Sequence, residues 1–483
     1  MAHLLRRAAF GARPDEINDI YLKQGFEATV DQLVNYENIP EDPGIPPVPT
    51  MSDGTVDITN MRIDDVASWW LNLMIKTRRP LQERMVLFWH DHFATSYDKV
   101  SNAKYLYWQN QLVRNHATGD FRALLKGINR DPAMIIWLDS RLNTKTSPNE
   151  NYARELFELF SLGFEAFQAG AYTEPDVQQA ARAFTGWGLN NDPQTNNVPL
   201  NGSITDPAQL VRIPPPTNDN STAARNHDYG DKTVFGVTRN FNGDDIVDLV
   251  LDHEPQRTHA ARFIGKKLFE YFAYENPEPH VVEHLAAVAK RSNFNIKAIL
   301  RDLFLNTKEF YSDKAIHSQI KWPAYYVVSA VRLLQASITT RNVNNNNLRA
   351  MGQWLFWPPD VAGWPGGTEW ISTSQYLARA NWANTLATNR STTPGNTGIP
   401  IDTVLATGGL GTNSTAEQVV DYFVSLLIQA PLAPSVRQAL VDYMKKNDNG
   451  TINNTFTLDN TTKNKKVRGL IHLILSRPEC QNF

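Results

Sequence analysis

Apolar residues recur at three- and four-residue spacing along most of this chain, a pattern that predicts helices rather than strands. From Arg13-Pro14 to about Tyr36, Ile17, Ile20, Tyr21 and Leu33 predict one helix. Residues 62–128 read as helix almost throughout. Arg79-Pro80 breaks that run, because a residue before proline is pushed out of the helical region. One helix is therefore expected to end near Thr77 and the next to open at Pro80. Asp131-Pro132 starts a short helix that buries Ile135, Ile136, Trp137 and Leu138. Helices resume at Gly243 and run to about Tyr311, then return over Lys321–Gln335 and Ser372–Thr388. Three more, near Ala416–Gln429, Ala433–Lys446 and Lys465–Leu475, form a small C-terminal part.

The best-punctuated stretch is Ser147–Trp187. Ser147 and Glu150 flank Pro148 as a capped start, and Gly163 is a stop where positive φ is wanted. Thr173, Pro175 and Asp176 repeat the start signal, and Gly186 the stop. Glu150, Arg154 and Glu158 share one i, i+4 row, with Asn151 and Glu155 in the next. Such a row is either a solvated ladder, worth about 0.2–0.5 kcal/mol per pair, or one wall of a cleft holding carboxylates at fixed spacing. Arg182, four residues after Gln178, is read either as a buried partner for Glu155 or Glu158 or as an anion clamp.

Elsewhere the periodicity fails. Ile39–Pro49 is Pro-rich and reads as extended, polyproline-like chain. Leu189–Asn242 is dominated by Asn, Asp, Pro, Thr and Gly, a length at which loops act as lids or binding segments. Near its end, His227, Asp228, Gly230 and Lys232 suggest a tight turn before a short strand at Thr233–Val237. The run from Trp354 to Trp370 interleaves Trp and Phe with Pro and Gly and cannot be a regular helix; it is read as a rigid aromatic loop. The expected fold is all-α: a multi-helical globular bundle with a long irregular insertion (about 189–242) and a Trp/Pro/Gly-rich loop (about 354–370). A main part, 1–388, is followed by a linker-like segment, 389–414, and a C-terminal helical part, 415–483, packed on it.

Composition narrows the options only a little. A net charge of −3 in 483 residues offers no basic footprint for nucleic acid. Cys480 is the only cysteine, so no intramolecular disulfide forms. No apolar run reaches membrane-span length. The 12 Trp, 16 Tyr and 22 Phe are enough both for a core and for a cleft lined with flat, amphipathic rings.

Segments spread along the chain carry a resemblance. They are AHLLRRAAFG (Ala2–Gly11), LFWHDHFATS (Leu87–Ser96), ENYARELFELFSLG with YTEPDVQQAARAFTGW, HDYGDKTVFG (His227–Gly236), GQWLFWPPDVAGWPGG (Gly352–Gly367) and SRPECQ. Together the chain resembles the bacterial family known as domain of unknown function 1800. The resemblance implies an architecture and a candidate site but no established reaction. It also implies a secreted or periplasmic protein. Ala2–Gly11 already belongs to a family motif, so no signal peptide is expected in this sequence and a cytoplasmic location stays open.

Converging these motifs gives the expected site. Glu155, Glu158, His227 and Asp228 are the candidate catalytic groups, and Arg154, Arg182, Trp187, Trp357 and Trp364 the candidate substrate-binding groups. Paired carboxylates fit general acid–base chemistry if their environments split their pKa values. The leading reading is a hydrolase acting on a polysaccharide or other extracellular polymer, needing no cofactor. A second is an enzyme using a divalent metal, hydrolytic or oxidative, with His90, His92, Glu155 and Glu158 as ligands. Residues two apart on a continuous helix point about 200° away from each other, so both histidines reach one metal only if the helix breaks at Asp91. A third reading is a non-enzymatic helical scaffold. The partner expected is a polymer or carbohydrate-like substrate, with no nucleic acid, no membrane span and the oligomeric state open.

Overall fold

The computed structural model describes residues 1–41, 61–189, 211–219, 221–388, 398–447, 449–452 and 455–483. Helices make up most of it, and among the described residues the sheets are two short antiparallel pairs. One hydrophobic core extends from Leu4 and Phe10 to Ile474 and Phe483. Among the described residues no helix is long and apolar enough to cross a membrane.

The frame of the site is set early in the chain. Helix α1 (Ala2–Ala8) and helix α2 (Ile63–Lys76) each pack near α3 (Pro80–His92), and α4 (Ala103–Asn115) lies against α3. The break between α2 and α3 falls where Arg79-Pro80 requires it. Every residue of α3 from Leu81 to His90 is buried, as befits a helix surrounded by the core. Glu83 and Arg84 are held there in different ways, one by hydrogen bonds and the other mainly between aromatic rings. Glu83 accepts from Trp70 Nε1 at 2.9 Å and from Arg114 Nε and Nη2 at 2.8 and 3.0 Å. Arg84 donates Nε to Arg7 O at 3.2 Å, and its guanidinium carbon lies 4.5 and 4.8 Å from the Tyr271 and Tyr325 ring centres.

Some local expectations are corrected. The helix opened by Pro14 does not run to Tyr36: Gly25 at φ +94 interrupts it, and Phe26–Val34 follows separately. Ile20 is 51% exposed, so the apolar spacing there does not mark a core face. Ser147 does not cap a helix either. It closes a turn with Thr144, and Asn143 Oδ1 accepts from Asn149 N at 2.9 Å, so the chain is still turning there. Helix α5 starts at Asn151 and runs to Glu155, then widens into a π-helical turn, Leu156–Ser161. Gly163 stops it at φ +84, where a Cβ would lie 2.8 Å from Phe263. Helix α6 (Glu174–Ala183) opens on the expected Thr173/Asp176 capping box.

Residues 190–210 of the irregular insertion lie outside the described residues, as do most of the Pro-rich connector and residues 389–397 of the linker-like stretch. The described remainder of the insertion is partly regular. Strand β1 (Gly188–Leu189) pairs with β2 (Val211–Arg212), and β3 (Lys232–Val234) with β4 (Val237–Arg239). The single strand expected over Thr233–Val237 is thus a hairpin, turning at Phe235 and Gly236 with φ +51 and +77. Phe235 is held in that unfavourable region because its N–H donates to Asp176 Oδ1 at 2.7 Å and its ring packs 5.1 Å from Phe157.

The second half encloses the same core. Helices α7 (Gln256–Phe272) and α8 (Pro279–Arg291) pack together, α9 (Pro323–Leu333) lies near α2, and α10 (Thr373–Thr388) packs on α11 (Arg468–Leu475). A helix, Ile401–Thr407, occupies part of the linker-like stretch. Hydrogen bonds tie the C-terminal part to the rest. Tyr326 Oη donates to Leu475 O at 3.1 Å, Lys321 Nζ to Cys480 O at 2.8 Å, and Gln429 Nε2 to Ala12 O at 2.7 Å.

Candidate functional site

The centre of the candidate site is the C-terminal turn of α3, which carries His90, Asp91 and His92. The helix is unbroken through these residues, so the two imidazoles diverge. His90 Nε2 accepts the Phe356 N–H at 3.2 Å, with its ring 5.0 Å from Trp70 and 5.5 Å from Trp364. His92 Nε2 lies 3.1 Å from Phe160 O, with its ring stacked over Phe88 at 5.8 Å. Burial lowers both imidazoles to about 3, so they are neutral. They face different partners and share no ligand position. Among the described residues no three His, Cys, Asp or Glu side chains converge as a metal site needs, so the set His90, His92, Glu155 and Glu158 does not fit one.

Asp91 lies between the two histidines and faces the Trp/Pro/Gly-rich loop. Its Oδ1 accepts the Trp364 N–H at 2.8 Å. The residue before, Gly363, has φ +87, and a Cβ there would lie 2.6 Å from Asp91 O. Only glycine lets the loop backbone come this close. Burial raises the Asp91 carboxyl to about 7, the Trp364 amide and Lys267 pull it back, and Asp360 adds to the rise. A carboxylate in the last turn of a helix is also opposed by the helix dipole.

Asp91 lines a cleft of about 450 Å³ together with His92, Glu270, Tyr271, Trp322 and Trp364. Leu159, Lys267 and Glu275 also border it. Glu270 comes from α7, and its carboxyl is raised above the ordinary range by burial, against the pull of the Asn276 N–H at 3.1 Å and of Lys266 and Lys267. Trp322 stands edge-on to Tyr271 at 5.2 Å. The cleft thus joins two carboxyls displaced toward protonation with aromatic walls. Such a pair of carboxyls has the chemistry to give and to take a proton.

The residues expected from the sequence are distributed differently. Glu155 and Glu158 remain neighbours on the α5 segment. Burial raises Glu155 to about 7, Glu158 adds to the rise, and Arg154 opposes it. Arg154 itself bridges Glu150 at 3.0 Å and Glu174 at 2.7 Å, tying α5 to the start of α6. Arg182 pairs with neither Glu155 nor Glu158. Its Nε donates to Asp228 Oδ2 at 2.7 Å, and its Nη1 to Gln179 Oε1 at 2.6 Å and Asp231 O at 3.1 Å.

Asp228 also accepts the Gly230 N–H at 2.8 Å. Burial alone would raise its carboxyl, but Arg182 and that amide hold it below the ordinary range. His227 lies with Nδ1 2.7 Å from Thr185 O, its ring edge-on to Tyr229, and burial lowers its pKa. Together, His227 and Asp228 fasten the hairpin to the end of α6, outside the Asp91 cleft. Trp187 is only 2% exposed and packs against Phe184 and beneath Gly243, so it belongs to the core and does not roof a site. Trp357 stacks flat on Trp354 at 3.7 Å and meets Tyr97 edge-on, whereas Trp364 does line the cleft.

The sequence reading missed Asp91, Lys267, Glu270, Tyr271 and Trp322. A signal for Asp91 was available: an acid placed between two histidines in a final helical turn, where the dipole opposes it. Glu270 carried no comparable signal. A family model described as protein of unknown function (DUF1800) matches residues 3–482. No curated protein and no solved structure matches the chain.

Proposed function

Because the chain belongs to the DUF1800 family, whose description carries no activity, we propose from the cleft alone a hydrolase acting on a polysaccharide or other extracellular polymer. In this reading Asp91 is the general acid, protonating the leaving oxygen as the bond to it breaks. Glu270 is the base, taking a proton from the water whose oxygen forms the new bond. Trp364, Trp322 and Tyr271 supply faces for a ring-shaped unit. The observation that carries the reading is the Asp91 carboxyl, held by a backbone N–H in an aromatic cleft and raised to about 7, which suits an acid at neutral pH.

A second carboxylate pair supports a variant of the same chemistry. Glu155, raised to about 7 beside Glu158, would be the acid, and Glu158 the base. Leu159, which lines the cleft, lies one turn on from Glu155. An extracellular substrate also entails an exported protein, testable by fractionating the cells that make it.

The experiment is release of new chain ends from a panel of neutral and acidic polysaccharides by the wild type, Asp91→Asn and Glu270→Gln. Turnover by the wild type that both variants lose, while both melt no lower than the wild type at neutral pH, is expected. An Asp91→Asn protein that cuts at the wild-type rate removes Asp91 from the mechanism. Failure on the whole panel removes the polysaccharide reading.

A further inference from the structure

A second cavity, of about 660 Å³, adjoins the Asp91 cleft and shares Lys267, Glu270 and Asn276 with it. Its volume falls in the range of about 300–1,000 Å³ typical of ligand sites. Phe263 lines this cavity while its ring lies 5.9 Å from that of His92, which lines the cleft. The two spaces are thus neighbouring compartments along α7, with Lys267, Glu270 and Asn276 lining both.

The wall of the second cavity is electrically balanced. Arg262 pairs with Glu283 at 2.7 Å, and Lys266 with Glu165 at 2.7 Å. His259 is shifted toward its neutral form, by burial first and then by Arg262. The remaining cation, Lys267, favours the ionised form of Glu270 and lies 5.8 Å from the Phe263 ring centre. By formal charge the lining carries Arg262, Lys266 and Lys267 against Glu165, Glu270 and Glu283. What the cavity does present is aromatic: Phe164 is 53% exposed, with its ring 5.9 Å from Phe167, and Phe263 lies beside it. Gly163 at φ +84 makes this approach possible, since a Cβ would press on Phe263 at 2.8 Å. Aromatic faces framed by neutralised polar pairs suit an uncharged ring bearing hydroxyls.

We infer that the second cavity is a subsite for an uncharged sugar unit, and that the substrate is a neutral polysaccharide lying across both compartments. This rests on the hydrolase reading, and it adds that the chain is cut internally, with units bound on both sides of the reacting bond.

The test is calorimetric titration with cello-, xylo-, manno- and malto-hexaose, their disaccharides, and polygalacturonate. The wild type and Phe164→Ala are compared, with melting temperatures as a folding control. Phe164 is exposed, so the variant is expected to melt as the wild type does. At least one hexasaccharide is expected to bind about tenfold more tightly than its disaccharide, and Phe164→Ala is expected to abolish that gain. Binding without length dependence, a gain unaffected by Phe164→Ala, tighter binding of polygalacturonate, or no binding to any of these chains overturns the inference. A hexasaccharide that binds with the expected gain but is never cleaved leaves the subsite standing and removes the hydrolase. Cleavage that Phe164→Ala leaves unchanged at every chain length does the reverse.

Discussion

The backbone N–H of Trp364 and the carboxyl of Asp91 meet at 2.8 Å, joining the end of a largely buried helix to an irregular loop rich in glycine and tryptophan. The loop can come this close only because Gly363 has no side chain. The contact holds one carboxyl oxygen of Asp91 in place against the loop backbone.

Replacing Gly363 tests that contact. Gly363→Ala forces a non-glycine residue to positive φ, at a cost of about 1–3 kcal/mol, and pushes the loop off Asp91. Urea denaturation should show that loss. Turnover of any substrate found should fall by at least about tenfold, a displacement of about 1.4 kcal/mol in the barrier. A stable and active Gly363→Ala protein is incompatible with the contact as described.

If Asp91 is the acid, activity should decline above about pH 7, where its proton is lost. Its folded pKa lies above the ordinary 3.8, so between those values the native state holds a proton that the unfolded chain releases. Its contribution to stability is therefore present in acid and lost as pH rises through that window. Asp91→Asn removes this loss. Melting curves from pH 4 to 8 should show the variant gaining on the wild type as pH rises, and a constant difference would contradict the assignment.

Glu155 and Glu158 separate the two carboxylate pairs. Glu155→Gln removes a group that is costly to ionise and should leave the melting temperature at neutral pH unchanged or raised. Should it also leave turnover intact while Asp91→Asn abolishes it, the Asp91–Glu270 pair carries the chemistry. The opposite result moves the acid to Glu155.

Stability in the frame rests on Glu83, which is wholly buried against Arg114 and Trp70. Glu83→Gln leaves the Arg114 guanidinium without its counter-charge, a change that costs about 3–5 kcal/mol. Chemical denaturation measures it directly. A cost below about 1 kcal/mol, as for an exposed pair, would mean that water reaches the pair.

Local signals were the legible part of the sequence. Pro80, Gly163 and the Thr173/Asp176 capping box each act on a few neighbouring residues, and the structure uses each of them where the sequence placed it. Ser147 misled because a capping residue also suits a turn, and Asn143 organises that turn from outside the local window. Phe235 takes a backbone conformation its own side chain disfavours, on the strength of contacts with Asp176 and Phe157. The site fails to be legible for the same reason. Periodicity shows which residues share a face of one helix, but not that the end of α3 meets α7 and the 363–364 loop. Arg182 illustrates it, since its partner, Asp228, sits just before the β3–β4 hairpin, 46 residues along the chain.

The surroundings of Arg84 carry one more consequence. The helix bearing Asp91 is gripped through that guanidinium by Arg7, Tyr271, Tyr325 and Phe483, residues drawn from widely separated parts of the chain. Bringing such distant segments together requires closing long loops before any contact repays the lost entropy. The cleft should therefore be among the last features to form during folding. It should also resist transplantation: excised with its immediate neighbours, it would lose the grip that orients its acid.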